Sequence, residues 1–144
     1  MIEFLNSLTG GNLLTVKVVF ATIVFALAGL QVAMAARFWG AGGLPWVSEA
    51  TAVAVHRWSG RVTLLLAAFV ALACLVGPAG VTSPTRVLLH SVVGSAVLAV
   101  LALKFALLKL TRSGDRLLPL VGSLTFLSFA AVWATSVADY VSAR

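Results

Sequence analysis

The 144-residue chain has little of what a water-soluble domain needs. Only four residues are acidic and 10% are charged, whereas about 25% are charged in an average soluble domain. Hydrophobic residues make up 61% of the chain, and its mean hydropathy is +1.10. A soluble fold of this size could not bury so much apolar surface, so the composition predicts a protein whose solvent is lipid.

Side chains that carry chemistry are also scarce. The single cysteine, Cys74, excludes an intrachain disulfide, and the chain has two histidines, His56 and His90. The sequence shows no carboxylate pair, no nucleophile with a base, no phosphate-binding loop and no cysteine-rich metal motif. Hydrolytic and phosphoryl-transfer activities are therefore disfavoured.

The net charge of +6 would suit a nucleic-acid-binding protein. The basic residues, however, stand at the ends of apolar runs, which is where the loops of membrane proteins carry them. We therefore expect membrane lipid around the chain and no nucleic-acid partner.

Four long apolar runs predict an all-α fold, an integral membrane four-helix bundle. Each run exceeds the roughly 20 residues that cross a bilayer. Pro84, which follows Ser83, and Pro119 mark the starts of the third and fourth helices. One domain over residues 1–144 is expected, with spans at about 13–38, 51–77, 84–110 and 117–140.

The basic residues also predict the orientation of the bundle. We call the membrane side with the first and third loops side A, and the opposite side is side B. Because cytoplasmic loops are rich in Lys and Arg, side A is expected in the cytoplasm and both termini outside. The side A set is Arg37, Arg57, Arg61, Lys104, Lys109, Arg112 and Arg116, and the side B set is Lys17, Arg86 and Arg144.

Each histidine stands one helical turn before a glycine, in the segments HRWSGR and HSVVG. At that spacing Gly60 shares a helix face with His56, and Gly94 shares one with His90. A porphyrin ligated by imidazole lies close to such a face, and glycine leaves room for it. A lone intramembrane histidine could instead bond to a neighbouring helix, although ionisable residues in spans usually mark a cofactor or a pathway. The two turns predict haem b, with both histidines as iron ligands.

The histidines are expected near opposite membrane faces. His56 precedes the second loop by about 33 Å along an ideal helix, whereas His90 follows that loop by about one turn. One iron cannot bridge them, because their two helices are antiparallel. One haem or two are therefore predicted, and two sites would suit electron transfer across the bilayer.

On side A, Arg57 and Arg61 are expected to pair with haem propionates, because a guanidinium matches a carboxylate well. Met34 and Lys104 are candidates for the second ligand of the iron at His56. Met34 could equally pack in the core, and Lys104 could extend to the interface or bind a propionate.

On side B, Lys17 is the group expected near His90, and it too could extend to the interface or bind a propionate. Thr135 and Ser136 of the last helix are expected at the same end. A twofold dimer is a further possibility, because it would place each histidine beside its mate at equal depth.

The segments HRWSGR, TRVLLHSVVG, ALKFALLK, LPLVG and VWATS, within about residues 50–140, resemble an uncharacterised bacterial four-helix membrane family. More distantly, the histidine-before-glycine turns are similar to those of the cytochrome b561 and ferric-reductase type of transmembrane haem proteins. These resemblances imply a bacterial plasma membrane and paired histidines from parallel helices. The chain departs from that pairing, because the fourth span has no histidine to match His56 and the first has none to match His90.

These features predict a membrane b-type cytochrome that moves electrons across or within the bilayer. We expect a homodimer or a subunit of a redox complex, with a quinone as a further candidate partner. The alternative is a haem-free accessory subunit of a respiratory or transport complex, whose small-residue faces serve helix contacts. An ion carrier that uses Lys17, Lys104 and Asp139 is disfavoured, because no acidic residue falls mid-span.

Overall fold

The computed structural model describes Ser7 and residues 10–76, 83–110 and 117–142. Within these ranges the chain forms four long α-helices and no strand. The predicted all-helical, four-helix architecture is confirmed. The helices are α1 (Leu13–Phe38), α2 (Glu49–Val76), α3 (Pro84–Leu110) and α4 (Leu118–Ser142).

All four helices are long and apolar enough to cross a membrane. The shortest, α4, has 25 residues and extends about 37 Å, more than the roughly 30 Å of a hydrocarbon core. Large apolar side chains cover the outside of the bundle, and Leu65, Leu75 and Leu88 are 71%, 80% and 65% exposed. Such a surface is suited to lipid, which supports a multi-pass membrane protein.

The start of α2 lies two residues before the predicted position. Ser48 caps the helix, because its Oγ accepts the N–H of Thr51 at 3.1 Å and its carbonyl accepts the N–H of Ala52 at 2.9 Å. Glu49 in the first turn is stabilised by the helix dipole. The α3 helix begins at Pro84 as predicted, and α4 runs from Leu118 rather than 117 and to Ser142 rather than 140. The predicted end of the second span, residue 77, lies outside the described residues.

The loop between α1 and α2 folds back on the end of α1. Gly43 has φ +89°, and a Cβ there would lie 2.8 Å from the carbonyl oxygen of Ala33, so only glycine fits. Arg37 Nε donates a hydrogen bond to the carbonyl of Val47 at 2.8 Å, and its Nη1 lies 3.6 Å from Glu49 Oε1. These contacts fix the side A ends of α1 and α2.

The helices are not packed equally closely. The α1 helix packs along both α2 and α4, and α4 packs along α3. Among the described residues α2 and α3 form no comparable contact, although they follow each other in the chain. A small core at mid-depth joins α1, α3 and α4 through the buried residues Val24, Ala28, Val97 and Phe129. The α2 helix packs against it through Leu66 and Ala67, and Leu101, Phe126 and Val132 complete its surroundings.

Aromatic rings and side-chain hydrogen bonds connect α1 to α4. The ring of Phe25 stacks on Phe126 and on Trp133, with centroids 5.6 Å and 4.7 Å apart. Trp133 Nε1 donates to Thr22 Oγ1 at 3.0 Å. The α1 helix is therefore the central element against which α2 and α4 are held.

Candidate functional site

A cavity of about 640 Å³ lies in the side A half of the bundle. Its size falls within the roughly 300–1,000 Å³ of small-molecule and cofactor sites. All four helices line the cavity. One of its walls is formed by residues of the mid-depth core, namely Ala28, Leu101, Phe126 and Phe129. The side chains and backbone positions that matter for its chemistry are Gln31, His56, Arg57, Gly60, Arg61, Thr63, Lys104, Gly122, Ser123 and Thr125.

His56 is held in one orientation by the main chain of α1. Its Nδ1 lies 3.0 Å from the carbonyl oxygen of Gln31, and the ring of Phe38 packs edge-on at a centroid distance of 5.3 Å. A carbonyl can only accept, so Nδ1 carries the proton. In the neutral ring Nε2 then has a free lone pair, and it has no hydrogen-bond partner among the described residues. Histidines that bind a metal commonly show this arrangement.

Gly60 has a packing role that the sequence did not reveal. A Cβ at this position would lie 3.2 Å from Oε1 of Gln31. The same side chain donates from Nε2 to Thr63 Oγ1 at 2.9 Å, and Thr63 donates to the carbonyl of Ser59 at 2.8 Å. Gln31 therefore takes part of the space that we expected a porphyrin to use beside Gly60, and it fixes the α1–α2 contact next to His56.

The cavity is basic. Arg57, Arg61 and Lys104 line it, and none of its described lining residues is acidic. The guanidinium of Arg61 stacks 4.6 Å above the ring of Trp58. Lys104 is half-buried, interacts electrostatically with His56, and has no hydrogen bond or ion pair to a described residue. A cavity with this lining is suited to a ligand that is mostly apolar and carries negative charge.

On the α4 side of the cavity there is free space beside Gly122, and the hydroxyl groups of this side do not donate hydrogen bonds into the cavity. A Cβ on Gly122 would meet no atom within 4 Å. The hydroxyls of Ser123 and Thr125 donate to carbonyls of their own helix, those of Pro119 and Val121, at 3.0 and 2.7 Å. Sequence analysis missed this wall, although Gly122, Thr125 and Phe129 recur at helical spacing on one face.

His90 lies at the other end of the bundle and does not line the cavity. Its Nδ1 is 3.2 Å from Thr135 Oγ1 and 3.5 Å from Ser136 Oγ. Both hydroxyls donate to the carbonyl of Val132, so they accept from the histidine. His90 and the cavity residue Lys104 are fourteen residues apart on α3, which separates them by about 21 Å along the helix axis.

The remaining candidates divide between the two ends. Lys17 is within electrostatic range of His90, as expected, and also of Cys74. A Cβ on Gly94 would meet nothing within 4 Å. Met34 is only 3% exposed and does not line the cavity, which favours a packing role.

Of the nine candidate residues, the structure brings five together in the cavity. These are His56, Arg57, Gly60, Arg61 and Lys104. Among the described residues no cluster of three or more His, Cys, Asp and Glu side chains could hold a metal ion. Iron in a porphyrin needs no such cluster, because the ring nitrogens supply four ligands and the protein supplies the axial ones.

A family model described as a family of unknown function, DUF6529, matches residues 4–143. No curated protein and no solved structure matches the chain. The match agrees with the predicted resemblance to an uncharacterised family, and it shows no link to cytochrome b561.

Proposed function

This chain belongs to the DUF6529 family of unknown function, and we propose that it is a membrane b-type cytochrome that binds haem b in the side A cavity. His56 is the axial ligand of the iron. The observation that carries the proposal is the bond from His56 Nδ1–H to the Gln31 carbonyl, because it leaves Nε2 unpartnered on a residue that lines the cavity. A histidine that binds a metal through one nitrogen usually donates the other N–H in this way.

The charge of the cavity supports the same ligand. Haem is a large apolar ring with two carboxylates at one edge, and the cavity combines apolar walls with the cations of Arg57 and Arg61. The two arginines are exposed, and long side chains of this kind can extend along the bundle toward the membrane surface. Arg57 and Arg61 therefore hold the propionates, and the apolar walls exclude water from the ring.

The bound iron supplies one-electron chemistry between its ferrous and ferric states. The protein's own contribution is to hold the axial imidazole through Gln31 and to surround it with apolar side chains. Both features tune the reduction potential through ligand basicity and burial. The chain thus carries electrons within the bilayer rather than transforming a substrate in the cavity.

Partners and location belong to the same proposal. Electron carriers of this kind exchange electrons with neighbours, and we assign the chain to a homodimer or a redox complex, with a quinone as an alternative electron partner. We assign the chain to a bacterial plasma membrane, with side A in the cytoplasm and both termini outside, and the excess of basic residues on side A supports this orientation. The distant similarity to the cytochrome b561 type extends to a histidine one turn before a glycine and not to paired histidines.

His90 is given a different role in this proposal. Its bonds to Thr135 and Ser136 connect α3 to α4, and polar contacts of this kind stabilise helix pairs in membranes. We therefore propose one haem per chain, at His56, rather than the second haem that the sequence allowed.

The test is the spectrum of the protein purified from cells supplied with haem precursor. We expect a Soret band, a b-type pyridine-haemochrome spectrum and reversible reduction by dithionite. A folded preparation from these cells that shows none of these contradicts the proposal and favours the haem-free accessory subunit. Folding is checked independently by helical circular dichroism and a monodisperse elution profile in detergent.

A further inference from the structure

We propose that the side-chain amine of Lys104 is the second axial ligand of the iron at His56. This inference rests on the proposed function, because it assigns the partner ligand of the same haem. It adds a prediction that the proposed function does not make, namely a six-coordinate iron with one imidazole and one primary amine.

The chemistry of the lining leaves few groups able to ligate iron opposite His56. The described lining residues include no cysteine, methionine or tyrosine. Arginine keeps its proton and offers no lone pair, so Arg57 and Arg61 are excluded. Met34, the other candidate from the sequence, is buried away from the cavity.

The remaining polar groups of the cavity are already committed. The amide of Gln31 is bonded to Thr63, and the hydroxyls of Thr63, Ser123 and Thr125 each donate to a carbonyl of their own helix. Neutral oxygens of this kind are also poor ligands for haem iron, which is held by His, Cys, Met or Tyr side chains in most proteins. Lys104 is the nitrogen donor that remains.

The position of Lys104 supports this role. It extends from α3, whereas His56 extends from α2, and these two helices lack the close packing of the other neighbours in the bundle. The two side chains border one cavity and interact electrostatically. A porphyrin between α2 and α3 would have the imidazole on one face and the amine on the other.

The membrane setting of Lys104 is the second argument. Charged side chains inside a membrane are costly. Lys104 is half-buried within a span. An amine that ligates iron has released its proton to the solvent on side A and is uncharged, so this role removes the cost of a half-buried ammonium.

The experiment compares Lys104→Arg and Lys104→Ala with the wild type by electron paramagnetic resonance and absorption of the ferric haem. Arginine keeps the positive charge but cannot ligate, so it separates ligation from pairing with a propionate. We expect low-spin iron in the wild type and high-spin iron in both variants, with haem still bound through His56. Added imidazole should restore the low-spin signal in Lys104→Ala, since it can occupy the vacated position.

Lys109→Arg is the matched control, because Lys109 lies on the same helix and does not line the cavity. Its spectrum should equal that of the wild type. Low-spin iron that persists in Lys104→Arg overturns the inference and assigns Lys104 to a propionate, and high-spin iron in the wild type overturns it as well. Either result leaves a bound haem, whereas failure of the proposed function is recognised by the absence of a Soret band in the wild type.

If both variants lose their haem during purification, the wild type alone decides. The near-infrared charge-transfer band of low-spin ferric haem depends on the axial pair, and ligation by two nitrogens differs there from His–Met ligation. A wild-type band of the His–Met class contradicts the inference.

Discussion

The His56 and His90 ends of the bundle begin with the same four-residue spacing of histidine and glycine, yet they are built differently. At the His56 end the imidazole is fixed by a main-chain carbonyl of α1 and lines a basic cavity. At the His90 end the imidazole bonds to two hydroxyls of α4. The side-chain amide of Gln31 occupies the space beside Gly60, whereas a Cβ added at Gly94 would meet no atom within 4 Å.

The difference shows that a motif does not define a site without its neighbours. In both turns Nδ1 donates and Nε2 is left with the lone pair, so the histidines are chemically alike. The two histidines differ in their surroundings. At His56 the helices α2 and α3 are not closely packed, and the histidine borders a cavity lined by basic side chains. We therefore assign the haem to one turn and an interhelical bond to the other.

Exchanging each histidine for alanine should give the largest contrast between the ends. Removing a residue that only orients a metal ligand lowers metal affinity roughly 10–100-fold. His56→Ala removes the ligand itself, so its affinity for haem should fall by more than that. His90→Ala should keep the wild-type spectrum and stoichiometry. Both are measured by pyridine haemochrome on equal amounts of folded protein, and equal losses in the two variants would show that the ends are equivalent after all.

Filling the cavity from α4 should give the next largest effect. Leucine at Gly122 projects into open space that the haem is proposed to occupy, so Gly122→Leu should lower the haem retained during purification several-fold while the helices remain folded. Gly94→Leu is the matched control, since it also enters open space but lies outside the cavity. Full haem retention in Gly122→Leu would place the ligand elsewhere.

Removing the guanidinium groups that line the cavity should weaken haem binding moderately. Arg57 and Arg61 are exposed, and exposed ion pairs contribute about 1 kcal/mol or less, so Arg57→Gln and Arg61→Gln should each raise the haem dissociation constant by about fivefold or less. The effect should diminish as salt increases. Arg86→Gln, on the first turn of α3 and outside the cavity, serves as the control, and an equal effect there would argue against propionate pairing.

The smallest effect is expected at the other end. Thr135→Val removes the nearer of the two acceptors of His90 and should lower stability by about 0.6 kcal/mol, the average for interhelical hydrogen bonds in a membrane protein, or by less. The haem spectrum should not change. Steric trapping or denaturation in mixed micelles measures the stability, and a spectral shift in Thr135→Val would indicate that His90 also ligates a haem.

Much of the fold follows from the sequence because lipid imposes a simple rule. Apolar runs longer than about 20 residues must be helical, which predicts four helices with bounds near those observed. The start of α2 at Glu49 rather than at 51 reflects the cap that Ser48 provides, and a serine followed by Glu49 in the first turn is a readable signal of it.

The site was less accessible to sequence analysis. His56, Arg57, Arg61 and Lys104 were identified because ionisable groups are rare and costly in membrane spans. Whether these residues converge on one cavity, and whether Met34 lines it, depends on which helices pack against each other. Four spans of similar composition do not specify their neighbours. The role of Gln31 is likewise a main-chain contact between α1 and α2, and a carbonyl carries no residue-specific signal.

The central claim is that the cavity at His56 holds one haem per chain. The most direct measurement is the haem-to-protein ratio of the purified wild type, from pyridine haemochrome and quantitative amino-acid analysis after saturation with haemin and removal of the excess. The account predicts a ratio that levels off at one haem per chain. A ratio near zero would contradict the haem site, and a ratio of two would contradict the difference between the His56 and His90 ends.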